Sequence, residues 1–273
     1  MSQNVTARLR KAKVAAVTVP ADAMLELAGV GRTFADGTTA VQNLDLRVRR
    51  GEFASVVGPS GCGKSTLLRL VSGLEPATAG AVDVAPCRLG HVFQDPTLLP
   101  WRTVARNVEL LAELEGIPRA ERRRRVQRVL DLVGLTGFDR ARPAALSGGM
   151  RMRASLARSL VLEPELFLLD EPFGALDELT RERLNDELVA LFTGGAFTAL
   201  FVTHSVAEAV FLSSRVVVLS PRPGHVVGEV TVPFPYPRPG HLRFAPEFGR
   251  LASRVSDLLR DTDGGSADWT VSA

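Results

Sequence analysis

The sequence predicts an α/β fold built on a mostly parallel sheet, and three observations lead there. Short, nearly unbroken apolar runs at Phe53–Val57, 166–169, 199–203 and Arg215–Leu219 read as strands buried on both faces. Segments with helical spacing separate the later runs, as crossovers between parallel strands require. The 273 residues, 45% of them hydrophobic, are enough for one such core.

Residues 1–23 read as a flexible basic tail. The apolar stretch 14–19 contains Thr18 and falls short of the roughly seven residues that a secretory signal core needs. From Met24 to about Phe53 the pattern is β-like and predicts an antiparallel subdomain. Leu25, Leu27 and Val30 precede an Asp36-Gly37 turn, and Val41, Leu44, Leu46 and Val48 follow it. The strand at Phe53–Val57 stops at Gly58, and a helix over 64–72 stops near Gly73. Residues from about 95 to 160 form a helical subdomain. One helix covers 103–115. A second starts at Pro118 and sets Val126, Val129, Leu130 and Val133 on one face. Arg122 to Arg125 read as its solvated side, in preference to a docking surface for an acidic partner. A third helix runs from Ser147 to Leu160. Strand 166–169, helix 176–192, strand 199–203, helix 205–213 and strand 215–219 then alternate. The proline-rich 233–239 is expected to be a stiff linker, 246–260 a last helix and the final dozen residues a frayed tail.

Composition closes off several classes. No apolar run is long enough to span a bilayer, and collagen-like, coiled-coil and disulfide-scaffold readings fail. Cys62 and Cys87 alone suit a reducing compartment. Arg8, Arg10, Lys11 and Lys13 give the tail +4 within a net charge of +3, so the body of the chain is near neutral and argues against a nucleic-acid partner. Of 33 basic residues only three are lysine, and beyond Lys13 there is one, Lys64.

Lys64 sits in Gly58-Pro59-Ser60-Gly61-Cys62-Gly63-Lys64-Ser65-Thr66, a phosphate-binding loop between a strand and a helix. Glycines let backbone N–H groups converge on phosphate oxygens, and the helix points its positive end at them. Lys64 offers a compact ammonium to the β- and γ-phosphates, where a planar guanidinium fits poorly, and Ser65 a hydroxyl to Mg²⁺. The run 166–169 delivers Asp170 and Glu171 to the carboxyl end of the sheet, where ligands bind. Asp170 suits Mg²⁺, and Glu171 suits an attacking water. Leu146-Ser147-Gly148-Gly149-Met150 opens a helix, so Ser147 either simply caps it or presents N–H groups to a second anion.

Taken together these residues resemble the nucleotide-binding ATPase subunit of ATP-binding cassette (ABC) transporters. Six motifs carry the resemblance over about 25–232: Phe34, the phosphate loop, Gln94 in Val92-Phe93-Gln94-Asp95, the Leu-Ser-Gly-Gly-Met signature, Leu168-Leu169-Asp170-Glu171-Pro172, and His204 after Val202-Thr203. It implies the RecA-like P-loop NTPase fold over 24–232, with ATP and Mg²⁺ as ligands. By the same resemblance Phe34 stacks on adenine, and residues Gly58 to Thr66 with Gln94 bind ATP. Ser65, Gln94 and Asp170 hold the metal, and Lys64, Gln94, Glu171 and His204 serve hydrolysis. Two subunits, alike or not, would close head to tail, with Ser147, Gly148, Gly149 and Met150 acting across the pair and Asp177 communicating between them. For His204 a satisfied core histidine is the competing reading; His91, His225 and His241 match no motif.

The family pattern is not followed everywhere. Met150 and Met152 stand where many relatives have Gln, Phe34 where Tyr is frequent, and 81–90 is shorter than usual. Asp95-Pro96-Thr97-Leu98-Leu99-Pro100-Trp101, the Met-ended signature and Val216-Val217-Val218-Leu219-Ser220-Pro221-Arg222-Pro223-Gly224 are similar to importers of nitrate, aliphatic sulfonates, taurine and related small anions. That resemblance implies transmembrane permease subunits, a periplasmic or lipid-anchored solute-binding protein, and a peripheral place on the cytoplasmic face of the inner membrane. A soluble ABC-type ATPase acting on nucleic acid or ribosomes is the alternative. The single cassette, the absence of a long heptad insertion and the near-neutral body all speak against it. Because Cys62 lies within the phosphate loop, thiol alkylation is expected to inhibit and ATP to protect.

Overall fold

The computed structural model describes residues 21–194 and 197–262. In chain order they form β1 (Ala23–Thr33), β2 (Thr39–Arg49), β3 (Phe53–Val57), α1 (Lys64–Val71), β4 (Ala79–Val84), β5 (Leu89–Val92), α2 (Val104–Leu114), α3 (Arg119–Leu132) and α4 (Gly148–Leu160). The order continues with β6 (Leu166–Asp170), α5 (Glu178–Thr193), β7 (Thr198–Val202), α6 (Val206–Leu212), β8 (Arg215–Leu219), β9 (Val226–Thr231) and α7 (Pro246–Thr262). The expected basic tail lies almost wholly outside the described residues, as do the final residues, 263–273. Ala23 already belongs to the fold, fully buried as the first residue of β1.

Six strands in the order β5-β6-β7-β3-β8-β9 make the central sheet. All are parallel except β9, which pairs antiparallel with β8. Alternation along each strand sends neighbouring side chains to opposite faces and creates two cores. Phe53, Phe167, Leu169, Phe201 and Val218 pack under the helices α2 to α7. Ala54, Val56, Leu168, Leu200 and Val217 face α1 and the antiparallel sheet β2-β1-β4. Since both faces are covered, the strands read as continuous apolar runs. Register carries five strand ends to one edge: Val92 pairs with Leu169, Val56 and Asp170 both pair with Val202, and Val57 pairs with Val218.

Three local features differ from expectation. The sequence signal for β9 was missed, because Val226-Val227-Gly228-Glu229-Val230-Thr231 is a half-exposed edge strand broken by glycine. The arginines at 122–125 divide by helical phase. Arg123 and Arg124 face solvent, but Arg122 Nε reaches Glu109 at 2.9 Å and Arg125 Nε reaches Glu121 at 2.7 Å. The segment 233–239 is no free spacer. Arg238 is buried and donates to the carbonyls of Val210, Phe211, Ser213 and Phe234 at 2.7–3.1 Å, while the Tyr236 hydroxyl donates to Leu212 O. It lays α7 onto the sheet through Phe248, Leu251 and Val255. No helix among the described residues is long and apolar enough to cross a membrane.

Candidate functional site

The carboxyl ends of the parallel strands open into a cleft of about 320 Å³, the position that parallel sheets reserve for ligands. β3 runs into the phosphate loop, whose tight path depends on Gly63. At φ 107° it lies in the left-handed region, and a Cβ there would come within 2.6 Å of Val41 and 2.8 Å of the Ala40 carbonyl. Lys64 opens α1 and is buried, its Nζ donating to the carbonyls of Gly58 at 2.8 Å and Pro59 at 2.9 Å. The ammonium therefore lies folded along the loop. Ser60, Gly61, Gly63, Lys64, Ser65 and Thr66 line the cleft, joined by Phe34, Gln94, Glu171 and His204.

Cys62 departs from expectation. Its side chain is fully buried beneath the loop, within the core shared by α1 and the antiparallel sheet. Burial pushes its thiol pKa up, which keeps it in the unreactive form. Only its backbone remains available to a ligand.

Ser65 Oγ donates to Asp170 Oδ1 at 3.1 Å, joining the first turn of α1 to the tip of β6. Burial raises the Asp170 pKa, and neighbouring Glu171 adds to the effect, so the carboxylate is under-compensated and favours a cation. A hydroxyl, a carboxylate and the nearby Gln94 amide form an all-oxygen donor set, which fits Mg²⁺.

Glu171 leaves the strand with φ 45°, a strained conformation for a non-glycine residue, while its N–H still donates to Val202 O at 2.9 Å. That turn brings its Oε2 to 3.1 Å from His204 Nδ1 at the end of β7. The His204 side chain is 61% exposed, which removes the core-histidine reading. By contrast, His91 is largely buried, its ring stacked on Phe93 at 4.0 Å and its pKa pushed down to about 4 by burial and Arg69. His225 is tied to Ser220 Oγ at 2.8 Å.

Ser147, Gly148, Gly149 and Met150 do not line this cleft. They form the start of α4, with Ser147 and Gly148 exposed and Gly149 and Met150 half-buried, and Ser147 Oγ accepts from Met150 N at 3.2 Å. Met152 is buried in the core, which accounts for an apolar residue there. Asp177, expected inside a helix, is instead the N-cap of α5. It accepts from Thr180 N at 2.9 Å, and that hydrogen bond holds its carboxyl below the usual range. Phe34 carries the Arg32 guanidinium 4.9 Å from its ring centre. Arg222, a further cleft residue, had no assigned role. Its only signal was the proline–glycine framing of Ser220-Pro221-Arg222-Pro223-Gly224.

Known proteins point the same way. The family model described as ABC transporter matches residues 41–174. The nitrate import ATP-binding protein NrtD of Synechocystis is 41% identical over 252 residues, spanning 86% of this chain and 95% of that protein. The aliphatic sulfonates import ATP-binding protein SsuB of Cupriavidus pinatubonensis is 43% identical, over 95% of this chain and 89% of that protein. A dimeric ATP-binding cassette solved in a post-hydrolysis state with ADP and Pi is 32% identical. It matches with a TM-score of 0.71 over 77% of this chain and 100% of its own. Phosphate loop, acidic strand tip and exposed histidine meet in one cleft of an α/β fold shared with that cassette, and the chain belongs to the ABC transporter family as one of its ATP-binding, ATP-hydrolysing subunits.

Proposed function

We propose that this chain drives import of a small anion of the nitrate, sulfonate or taurine kind through a partner permease, working as one of a head-to-tail pair of ATPase subunits. The observation that carries the mechanism is the convergence of the phosphate loop, Glu171 and His204 on one cleft from adjoining strand ends, with Asp170 hydrogen-bonded to Ser65 of that cleft. Likeness to nitrate and aliphatic sulfonate import subunits supports the cargo class. A solute-binding protein and a position on the cytoplasmic face of the membrane follow from the same reading.

In this mechanism Phe34 stacks on the adenine and the backbone from Gly58 to Thr66 surrounds the phosphates. Lys64 exchanges the carbonyls of Gly58 and Pro59 for phosphate oxygens, moving an already desolvated ammonium a short way. Ser65, Asp170 and Gln94 hold Mg²⁺, which supplies charge neutralisation at the phosphate oxygens. Glu171 accepts the proton of the attacking water, and His204 holds that carboxylate in its strained pose while facing the γ-phosphate. Ser147, Gly148 and Gly149 of the partner subunit close over the nucleotide, their helix start supplying N–H donors.

The test is reconstitution with a partner permease in liposomes, with a matching solute-binding protein supplied outside. ATP-dependent accumulation of nitrate, taurine or an alkanesulfonate is expected. ATP hydrolysis without uptake of any small anion, or uptake of a cation or peptide instead, refutes the cargo class.

A further inference from the structure

The turn between β8 and β9 places an arginine at the cleft that the mechanism above leaves unused. Arg222 Nε donates to the Gly61 carbonyl at 3.0 Å, its one hydrogen bond among the described residues. No carboxylate there pairs with it: Asp36, on the neighbouring turn, is engaged with Thr38 N at 2.9 Å. The terminal nitrogens of the guanidinium therefore stand uncommitted at the wall of a cleft that also holds Phe34 and Lys64.

The turn is built to keep that guanidinium in place. Gly224 donates to Ala40 O at 2.9 Å and accepts from Gln42 N at 3.0 Å, fixing the turn to β2. A Cβ at 224 would lie 2.1 Å from the Cys62 carbonyl oxygen, so the turn's backbone rests directly on the phosphate loop. Ser220 Oγ lies 2.8 Å from His225 Nδ1 and accepts from His225 N at 3.1 Å, closing the turn on itself. Phosphate loop and turn thus form one packed unit, and Arg222 is the side chain that crosses between them.

We infer that Arg222 is a phosphate-binding residue of this site: anchored through Nε on Gly61, it presents its terminal N–H groups to the phosphate chain of the bound nucleotide. A guanidinium matches phosphate oxygens in pairs, and one already held by its Nε loses less freedom on binding. Lys64 then serves as the compact point charge and Arg222 as the planar fork. The inference rests on the reading of the cleft as the nucleotide site.

The test measures binding of ATP, inorganic tripolyphosphate and adenosine to the full chain by titration calorimetry, alongside thermal unfolding. Arg222→Gln can keep a hydrogen bond to Gly61 but has no charge. It should weaken ATP and tripolyphosphate by roughly 10-fold, flatten the salt dependence of both, and leave adenosine and the Tm unchanged. Arg222→Lys, which restores the charge, should recover part of the loss. Unchanged tripolyphosphate binding in Arg222→Gln overturns the assignment, as does an equal loss of adenosine binding or a lowered Tm, either of which would show that the side chain braces the loop on Gly61 rather than meeting phosphate. If the parent itself binds neither ATP nor tripolyphosphate, the nucleotide reading of the cleft falls, and this inference with it; if the parent binds and Arg222→Gln does too, only this inference falls.

Discussion

His204 Nδ1 lies 3.1 Å from Glu171 Oε2, and this contact joins two strand tips that are 33 residues apart in sequence. The left-handed turn at Glu171 makes it possible, since an extended residue there would continue along β6. Glu171→Gln keeps the shape and can keep a hydrogen bond to the imidazole but cannot accept a proton. ATP binding should survive and hydrolysis should fall at least about 100-fold, read by nucleotide titration and phosphate release. A hydrolysis rate like the parent's would remove Glu171 from the chemistry.

The Ser65–Asp170 pair predicts a pH effect. Burial raises the Asp170 pKa above its ordinary value of 3.8, so the folded chain holds that proton more tightly than the unfolded chain. Without metal, the stability contributed by this group is present at low pH. It is lost as pH rises from about 3.8 through the higher folded value. Asp170→Asn has no proton to lose. The variant should match the metal-free parent near pH 3.5, exceed it at pH 7, and lose most of the gain in ATP binding that Mg²⁺ gives the parent. Denaturant titrations across that range decide the matter; a stability difference constant with pH contradicts it.

Cys62 tests the packing beneath the phosphate loop. Because the thiol is buried and its pKa raised, a maleimide should leave it unlabelled in the folded chain while half-buried Cys87 reacts first. The sequence expectation of ATP-protected inhibition is thereby replaced by no reaction to protect against. Mass spectrometry of the labelled peptides is the measurement, and prompt labelling at Cys62 would show that the loop opens.

Arg238 predicts that the proline-rich segment is structural. Its guanidinium answers four backbone carbonyls and stacks over Tyr236 at 4.1 Å. Arg238→Ala leaves buried acceptors unpaired and should cost about 2–3 kcal/mol of stability. Chemical denaturation reads this directly; a loss below about 0.5 kcal/mol would return 233–239 to the role of a spacer.

These four residues show what local pattern does and does not carry. The phosphate loop and Asp170-Glu171 could be read because a motif of fixed spacing and an apolar run that ends in acids are both contiguous. His204 could be read because it ends such a run. Arg222 and Arg238 act on carbonyls of Gly61 and of residues around 210–213, and a backbone acceptor has no sequence identity to recognise. Cys62 was misjudged because contiguity in a motif does not say which side of the loop a side chain faces. β9 was missed because its glycine packs closely under Leu258 of α7, 3.3 Å from where a Cβ would stand, and no local rule anticipates that packing.

Arg158 supplies the last prediction. It is buried on α4, and its guanidinium donates to Thr97 O at 2.9 Å and to Pro96 O and Thr97 Oγ1 at 3.0 Å. Thr97 itself has φ 47°, a strained conformation that these bonds hold in place. The helix that begins at Ser147 is thus tied to the loop that follows Gln94, whereas the phosphate loop shares no hydrogen bond with Arg158. A lysine offers one ammonium where a fork spans three acceptors, so Arg158→Lys should lower stability by about 1–2 kcal/mol. Loosening Gln94 without touching Lys64 should reduce kcat several-fold while KM for ATP changes less than twofold. Steady-state phosphate release separates the two constants. A variant that raises KM at constant kcat would show that Arg158 serves nucleotide binding, and the link from α4 to Gln94 would then have no part in turnover.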